Sequence, residues 1–406
     1  MKLLFLTIVK IDDIEERGIY NDLLRKFRDE GHEVFIVTSL ERRQKKATSL
    51  NKANGVSILQ VKTLNLQKIN IVEKGIGTLL VEYQYLKAIK THFRNEKFDI
   101  ILYSTPPITF SNVIKFIKRR DNAYAYLLLK DIFPQNAVDM KMIKKGGLIH
   151  QFFLKKEYEL YQVSDMIGCM SKANKDYIIK HNPIISPNKI EVNPNSITPI
   201  EFEYLPKELQ LVKEKYGIPL NKIIFVYGGN LGKPQGIDFL LETIENCITE
   251  KAYFLIVGSG TEYERIDKWF NLKNPKNALL LAGLPKNDYD ILLKACDVGM
   301  IFLHKDFTIP NFPSRLLSYL EMKMPVIAAT DVNSDIGIEI EKAKCGYWVE
   351  AGDLKRLLEI ISLLCFDETY IHEIKENSWK LLQDSFKVDI TYKLIFEKII
   401  NVQKHR

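Results

Sequence analysis

The stretch that decides the fold lies mid-chain, at residues 227–236, and reads Tyr-Gly-Gly-Asn-Leu-Gly-Lys-Pro-Gln-Gly. It follows an apolar run at 223–226 and precedes a helical pattern at 237–241, so a strand, a glycine-rich turn and a helix are predicted in succession. Glycines let backbone N–H groups approach an anion closely, and the following helix adds its positive dipole end. Lys233 supplies a formal charge at the same turn. The pattern favours a phosphate-bearing ligand, with an ordinary strand-to-helix turn as the alternative.

Apolar runs alternate with helical stretches on both sides of this loop, as in sheets of parallel strands joined by crossover helices. The predicted fold class is therefore α/β with two doubly wound, Rossmann-like domains facing a cleft, because such sheets bind ligands at the carboxyl ends of their strands. Turn-forming residues near 193–203 indicate the linker. The predicted strands are 2–8, 33–38, 55–61, 99–103, 123–129 and 165–170, then 223–227, 252–257, 278–282, 297–303 and 325–329.

Composition agrees with two domains, because 406 residues with 46% hydrophobic content exceed one ordinary core. The five cysteines are widely separated and form no Cys-x-x-Cys motif, which favours a reducing cytoplasm and argues against a zinc site. No apolar run is long enough to span a membrane, and residues 1–9 are predicted to form a buried first strand rather than a signal. The expected location is the cytoplasm, with peripheral attachment to the inner face of the cell membrane as an extension.

A second glycine motif, Gly258-Ser259-Gly260, follows a predicted strand and resembles a dinucleotide fingerprint. Tyr263 stands where the third glycine of that fingerprint belongs, so a nicotinamide cofactor is not expected. Ser259 is kept as a candidate ligand contact.

Residues 311–314, Asn-Phe-Pro-Ser, are helix-start signals that place Arg315 in a first helical turn. A cation there opposes the helix dipole unless an anion lies in front of it. A charge-assisted hydrogen bond contributes about 1.5–3 kcal/mol, more than the dipole term of a few tenths. We therefore favour an anion-binding Arg315 over an ordinary surface arginine.

Other charged and nucleophilic patterns are weaker. Asp288-Tyr289-Asp290 has the spacing of a metal-and-nucleotide motif, but acids in a first helical turn need no metal, and no metal site is expected. His32 is predicted to be structural. No histidine pairs with a Ser or Cys in a hydrolase arrangement.

In the first half, Ser104-Thr105 and Lys130-Asp131 each end a predicted strand. Both pairs are expected at the cleft. Asp131 is a candidate to orient a sugar hydroxyl or act as a base, with a helix cap before Pro134 as the alternative.

Residues Lys141 to Lys156 hold five lysines, no acid and an apolar centre. Such a segment can lie on an anionic membrane surface, and the alternative is a crossover helix with a solvated face. A nucleic-acid partner is not expected, because no aromatic stacking platform accompanies these lysines.

Taken in order along nearly the whole chain, several short motifs resemble bacterial GT-B glycosyltransferases of family 4, in the O-antigen and capsule branch that includes fucosamine-type transferases. The matching stretches are Gly31-His32-Glu33-Val34, Lys130-Asp131-Ile132-Phe133-Pro134, Asn193-Pro194-Asn195, residues 229–236, and Phe312 to Leu320.

The resemblance implies retaining, metal-independent transfer of a sugar from a nucleoside diphosphate, with no cofactor besides that donor. It implies an acceptor-binding domain at 1–197, a donor-binding domain at 198–386, and a terminal helix at 387–406 that crosses back to the first domain. The candidate catalytic residues are Asp131, Lys233 and Arg315. The donor candidates are Gly229, Asn230, Gly232, Gln235, Gly236, Gly258, Ser259, Leu284, Pro313, Ser314 and Ser318, and the acceptor candidates are Gly18, Ser104, Thr105 and Lys130.

The chain also departs from this family. Many relatives carry Arg and Lys where this chain has Asn230 and Gln235, and the paired glutamates of the family fall at Pro310 and Ser318. Ser318 can bond a ribose hydroxyl, but more weakly than a carboxylate. The donor site is therefore expected to differ from that of relatives.

The predicted function is transfer of an N-acetylated amino sugar from a UDP-sugar to a lipid-diphosphate-linked or other glycan acceptor in surface polysaccharide synthesis. The predicted partners are the nucleotide sugar, this acceptor and an anionic membrane surface. Two alternatives stay open: a catalytically idle donor-binding scaffold, motivated by Pro310 and Ser318, and a non-hydrolysing UDP-sugar epimerase.

Overall fold

The computed structural model describes residues 1–65, 71–203, 205–366 and 368–404. The chain divides into two compact units. Unit 1 comprises Met1–Thr198 together with Val388–Arg406, and unit 2 comprises Pro199–Lys387.

Unit 1 is built on a sheet with strand order β3-β4-β2-β1-β5-β6-β7-β8, parallel except for the antiparallel pair β3–β4. The strands are β1 Lys2–Leu6, β2 Glu33–Glu41, β3 Ser49–Ala53, β4 Val56–Thr63, β5 Ile100–Ser104, β6 Tyr124–Leu129, β7 Met166–Cys169 and β8 Ile190–Val192. The helices are α1 Ile19–Asp29, α2 Ile71–His92, α3 Ser111–Asp121, α4 Gln135–Asp139, α5 Leu148–Val163 and α6 Lys172–His181. All residues of β5 and β6 are buried, because helices cover both faces of a doubly wound parallel sheet.

Unit 2 contains a parallel sheet with strand order β11-β10-β9-β12-β13-β14. The strands are β9 Ile223–Asn230, β10 Ala252–Ser259, β11 Ala278–Ala282, β12 Val298–Phe302, β13 Val326–Thr330 and β14 Gly346–Glu350. The helices are α7 Pro206–Tyr216, α8 Ile237–Asn246, α9 Tyr263–Lys273, α10 Lys286–Lys294, α11 Arg315–Glu321, α12 Ile336–Lys342, α13 Leu354–Phe366 and α14 Glu368–Ser385. The chain begins this sheet at β9, moves outward to β11, and returns to β12 beside β9, so the strand order reverses between β9 and β12.

The last helix, α15 (Val388–Lys404), belongs to the core of unit 1. Its buried residues Tyr392, Ile395 and Ile399 lie in the same hydrophobic cluster as Phe27 of α1. Tyr392 also lies 3.1 Å from Nε2 of His32, and Lys26 pairs with Asp389 at 2.9 Å. Unit 1 is thus completed by residues that follow unit 2 in the sequence.

The predicted fold class of two doubly wound Rossmann-like units is confirmed, whereas the predicted cleft between them stays a prediction. Every predicted strand is present, with ends shifted by a few residues. The strands β3, β8 and β14 were not predicted. Ser104 ends β5 as predicted, and α3 begins at Ser111 after an irregular connection at residues 105–110.

Candidate functional site

The strand reversal in unit 2 coincides with a local separation of the two central strands. Among the described residues, β9 and β12 are in register only at Phe225–Val298 and Val226–Gly299, although both strands continue further. Ligands of doubly wound sheets bind at such a reversal, at the carboxyl ends of the strands. The glycine loop begins there.

The loop geometry explains two of its glycines. Gly236 has φ +56°, and a Cβ there would lie 2.7 Å from the carbonyl oxygen of Leu303, so only glycine fits. Gly229 has φ +115° and faces open space, which leaves room for a ligand next to the backbone. Between them, Lys233–Gln235 form a single 3-10 turn in which the Lys233 side chain is exposed.

Arg315 occupies the first position of α11, as predicted, and extends over the aromatic ring of Tyr227 at 4.3 Å. Its Nη2 donates a hydrogen bond to the side-chain oxygen of Gln235. Its Nη1 is enclosed and has no hydrogen-bond partner. Within the described part of the chain no carboxylate pairs with Arg315, so the guanidinium charge is not neutralised by the protein.

Three phenol groups surround this cation. Burial alone lowers the pKa of Arg315, but the phenols of Tyr227, Tyr319 and Tyr289 raise it above its ordinary value, so the guanidinium stays charged. Burial raises the pKa of Tyr319 to about 12, so this phenol is protonated at neutral pH. Burial also raises the pKa of Tyr227, against a smaller opposing effect of Arg315. An enclosed cation with neutral neighbours is suited to an anionic ligand.

The other donor candidates lie at the carboxyl edge of the same sheet or beside it. The last two residues of β9 are Gly229 and Asn230, and those of β10 are Gly258 and Ser259. Leu284 follows β11. The start of α11 is preceded by Pro313 and Ser314, and the helix contains half-buried Ser318. A Cβ at Gly258 would lie 2.0 Å from the carbonyl oxygen of Gly229, so Gly258 also packs against the loop.

The Asp288-Tyr289-Asp290 motif lies on α10, where Asp290 pairs with Lys286 one turn earlier. Tyr289, which sequence reasoning passed over, places its hydroxyl oxygen 1.8 Å from the position of a Cβ at Gly228. This explains the glycine at 228.

In unit 1, the Thr105 hydroxyl joins the ends of β5 and β6. The backbone N–H groups of Lys130 and Asp131 donate to its oxygen at 3.0 and 3.1 Å. Ser104, Thr105, Lys130 and Asp131 are therefore brought together. Gly18 lies elsewhere, at the start of α1, where its N–H donates to Asp22 at 3.3 Å.

Asp131 does not cap the following helix, because α4 begins at Gln135 with Pro134 as its N-cap residue. Instead, the side-chain amide of Asn136 donates to the Asp131 carboxylate at 2.7 Å. Beside it, burial lowers the pKa of Lys130 to about 7. This cluster contains a half-buried carboxylate and an amine that titrates near neutrality, which is chemistry suited to binding and deprotonating a hydroxyl.

A buried acid lies on α5 of the same unit. Burial raises the pKa of Glu157 to about 7, although the hydroxyl of Tyr161 donates to this carboxyl group at 2.9 Å. Sequence reasoning missed Glu157, because a single acid on a crossover helix carries no pattern.

The basic segment Lys141 to Lys156 is not one helix. Residues 141–147 form turns and α5 begins at Leu148, so a crossover helix does not extend over the first half of the segment, and binding of the segment to a membrane surface stays a prediction. The crossover alternative is correct for the second half, where α5 links β6 to β7 and buries Glu157 and Leu160. At the first turn of α5, Leu148 is 91% exposed, and Ile149 and Phe152 are also exposed.

Two further observations concern regions outside this site. A cavity of about 590 Å³ lies at the amino ends of β9, β10 and β11, at the opposite edge from the glycine loop, and is lined by Lys222, Ala252 and Asn277 among others. Within residues 1–65, 71–203, 205–366 and 368–404, no helix is long and apolar enough to cross a membrane, and no three His, Cys, Asp or Glu side chains come together as metal ligands.

Comparison with solved structures identifies the fold. Sucrose-phosphate synthase from Thermosynechococcus elongatus superposes with a TM-score of 0.78 over 100% of both chains at 13% identity. The fold is GT-B. Anabaena Alr3699/HepE in complex with UDP and glucose superposes with a TM-score of 0.72 at 15% identity, over 99% of this chain and 100% of HepE.

Sequence comparison agrees with the GT-B fold. Residues 210–380, within unit 2, match the model of "Glycosyl transferases group 1". The probable glycosyltransferase WbjE of Pseudomonas aeruginosa is 22% identical over 73% of both chains. The putative colanic acid glycosyl transferase WcaI of Escherichia coli is 24% identical over 60% of both, and the capsular polysaccharide glycosyltransferase CapM of Staphylococcus aureus is 27% identical over 61% of this chain and 64% of CapM.

Proposed function

We propose that the chain transfers a sugar from a nucleoside diphosphate to a hydroxyl of a glycan or lipid-diphosphate-linked acceptor in surface polysaccharide synthesis. The observation that carries this proposal is Arg315, an enclosed and uncompensated guanidinium beside the glycine loop of a GT-B unit. A diphosphate would supply the missing negative charge. The activities named for WbjE, WcaI and CapM are glycosyl transfers, which favours transfer over the epimerase and scaffold alternatives.

In the reaction, the bond between the anomeric carbon and the diphosphate oxygen breaks, and the acceptor oxygen bonds to the same carbon. Negative charge grows on the leaving diphosphate, where Arg315, Lys233 and the loop N–H groups would stabilise it. The first turn of α8, directly after Gly236, adds its positive dipole end. These fixed groups supply the charge that a metal ion provides in other transferases.

Unit 1 is proposed to bind the acceptor through Ser104, Thr105, Lys130 and Asp131, with Gly18 as a more distant contact. Asp131 is proposed to orient the attacking hydroxyl, while the leaving phosphate can take its proton when the sugar is transferred with retention. The family resemblance favours retention, uridine and an N-acetylated amino sugar.

Calorimetric titration of wild type and Arg315→Ala with UDP, without added metal, tests the donor site. We expect wild type to bind UDP and the variant to bind it about ten- to a hundredfold more weakly, because an enclosed charge-assisted contact is lost. Arg265→Ala is the matched control, since Arg265 lies in the same unit but already pairs with Glu262 and Asp238. No UDP binding by wild type would contradict the proposed function.

We further propose that the chain lies on anionic membranes through Leu148, Ile149 and Phe152 at the start of α5, with the lysines of residues 141–156 beside them. Each lysine near an anionic surface contributes about 1 kcal/mol. Lys144→Glu/Lys145→Glu should reduce sedimentation with phosphatidylglycerol vesicles about tenfold or more. The control Lys268→Glu/Lys276→Glu makes the same charge change at exposed sites of unit 2, and equal losses in both variants would contradict a specific surface.

A further inference from the structure

Tyr319 lies where β9 and β12 stop pairing. It is fully buried on α11, one helical turn after Arg315, so both side chains project from the same side of the helix. Its hydroxyl oxygen lies 3.2 Å from the carbonyl oxygen of Val226 on β9 and 3.0 Å from that of Met300 on β12. The Tyr319 hydroxyl thus bridges the two strands.

The same hydroxyl oxygen accepts a hydrogen bond at 3.2 Å from the N–H of Gly228, the second residue of the glycine loop. The phenol therefore accepts from the Gly228 N–H and donates its one proton to either carbonyl oxygen, in place of hydrogen bonds that a continuous sheet would form between β9 and β12. Buried backbone groups without partners are costly, so a strand separation at this position requires such a substitute.

The strands are shaped to accept the Tyr319 ring. A Cβ at Gly299 of β12 would lie 2.3 Å from this ring, so any larger residue there would displace it. On β9, the ring of Tyr227 lies 4.3 Å from the Arg315 guanidinium. Tyr227 in turn bonds the carbonyl oxygen of Asn230 at 3.0 Å.

From this geometry we infer that Tyr319 is a positioning residue for diphosphate binding: its hydroxyl holds β9 and β12 apart and fixes both the glycine loop and the helix that carries Arg315. This inference rests on the proposed function of unit 2 and adds a determinant that touches no substrate. It predicts that Tyr319 sets the affinity for the diphosphate part of the donor rather than for the nucleoside.

Tyr319→Phe tests the inference, because it keeps the ring and removes only the hydroxyl. We expect UDP affinity to fall about tenfold while uridine affinity stays within twofold, measured by calorimetry and by competition with UDP. Tyr103→Phe is the control, since Tyr103 is equally buried, bonds Ser164 at 2.6 Å, and lies in unit 1. It should lose stability without any change in UDP affinity.

Gly299→Ala provides a second, independent variant, because its methyl group should push the Tyr319 ring away while the hydroxyl is still present. It should show the same selective loss of UDP affinity. Unchanged UDP binding in Tyr319→Phe, or equal losses of UDP and uridine, would overturn the inference alone. Absence of UDP binding in wild type would overturn it together with the proposed function.

Discussion

The strand ends of the two units carry opposite chemistry. In unit 1 the ends of β5 and β6 are joined by the Thr105 hydroxyl, and an acid, Asp131, lies beside a lysine that titrates near neutrality. In unit 2 the hydroxyl of Tyr319 lies between β9 and β12, and the cation Arg315 contacts the neutral side chains of Tyr227 and Gln235. The same doubly wound architecture can thus have neighbouring strands that are joined at their ends, as in unit 1, or that stop pairing early, as β9 and β12 do in unit 2.

The largest expected effect separates the two edges functionally. Asp131→Asn should slow sugar transfer by about 10²–10⁴-fold, because a group that orients or deprotonates the acceptor is lost. UDP affinity should stay within twofold, since Asp131 belongs to unit 1. Transfer assays and calorimetry on the same preparation measure both quantities, with Asp139→Asn on α4 as the control acid. A parallel loss of UDP affinity would show that the two edges are not independent.

A second test separates the stabilities of the units. Ile395 of α15 and Ile361 of α13 are both fully buried, the first in unit 1 and the second in unit 2. Either isoleucine changed to alanine should cost about 2–5 kcal/mol of unfolding free energy, through lost burial and a cavity. Proteolysis should cut unit 1 first in Ile395→Ala and unit 2 first in Ile361→Ala. Identical fragments would contradict the assignment of α15 to unit 1.

A third test uses the buried acid of unit 1. Burial raises the pKa of Glu157 in the folded state to about 7, so the folded state favours the protonated carboxyl group. This preference contributes stability that is fully present at pH values below the ordinary pKa of glutamate. That contribution is lost as the pH rises through 7. Glu157→Gln should therefore be more stable than wild type at pH 8, by about 2–3 kcal/mol at most, and nearly equal to it at pH 4.5. Thermal melts of variant and wild type at the two pH values measure this difference in stability. If the variant differed from wild type by the same amount at pH 8 and at pH 4.5, the raised pKa of Glu157 would be contradicted.

The smallest expected effect concerns the nucleoside end of unit 2. If Ser318 bonds a ribose hydroxyl, Ser318→Ala should weaken UDP binding by about three- to tenfold, as for one neutral hydrogen bond. Binding of inorganic pyrophosphate should not change. Ser362→Ala, at a half-buried position on α13 of the same unit, serves as the control. A loss for pyrophosphate as well would place Ser318 at the phosphates instead.

The sequence predicted the elements that carry strong apolar patterns and missed those that do not. β1, β5 and β6 are continuous apolar runs, whereas β3 reads Ser-Leu-Asn-Lys-Ala at an exposed edge and β8 has only three residues. A crossover helix was one of two interpretations of residues 141–156, and this helix begins only at Leu148, after the turn formers Gly146 and Gly147. Short edges and turns depend on tertiary partners that one sequence does not display.

The candidate site was partly predictable for a related reason. The position of Arg315 in a first helical turn was predicted correctly, and it became a site candidate because a cation there conflicts with the helix dipole. Tyr319 was missed because an aromatic residue at helical spacing resembles ordinary core. The role proposed for Tyr319 depends on its position beside β9 and β12, the two strands that stop pairing. Only the strand order of the sheet shows that these two strands are neighbours.

The return of α15 to unit 1 has a consequence for synthesis on the ribosome. Residues 199–387 form a contiguous unit that can fold as soon as it has emerged, whereas unit 1 lacks part of its core until Val388–Arg406 has been made. Because domains generally fold as units during translation, we expect the second half of this chain to reach its native state before the first. Until then, the apolar surface of α1 around Phe27 is left uncovered, and a nascent chain stalled before residue 388 should depend on chaperones.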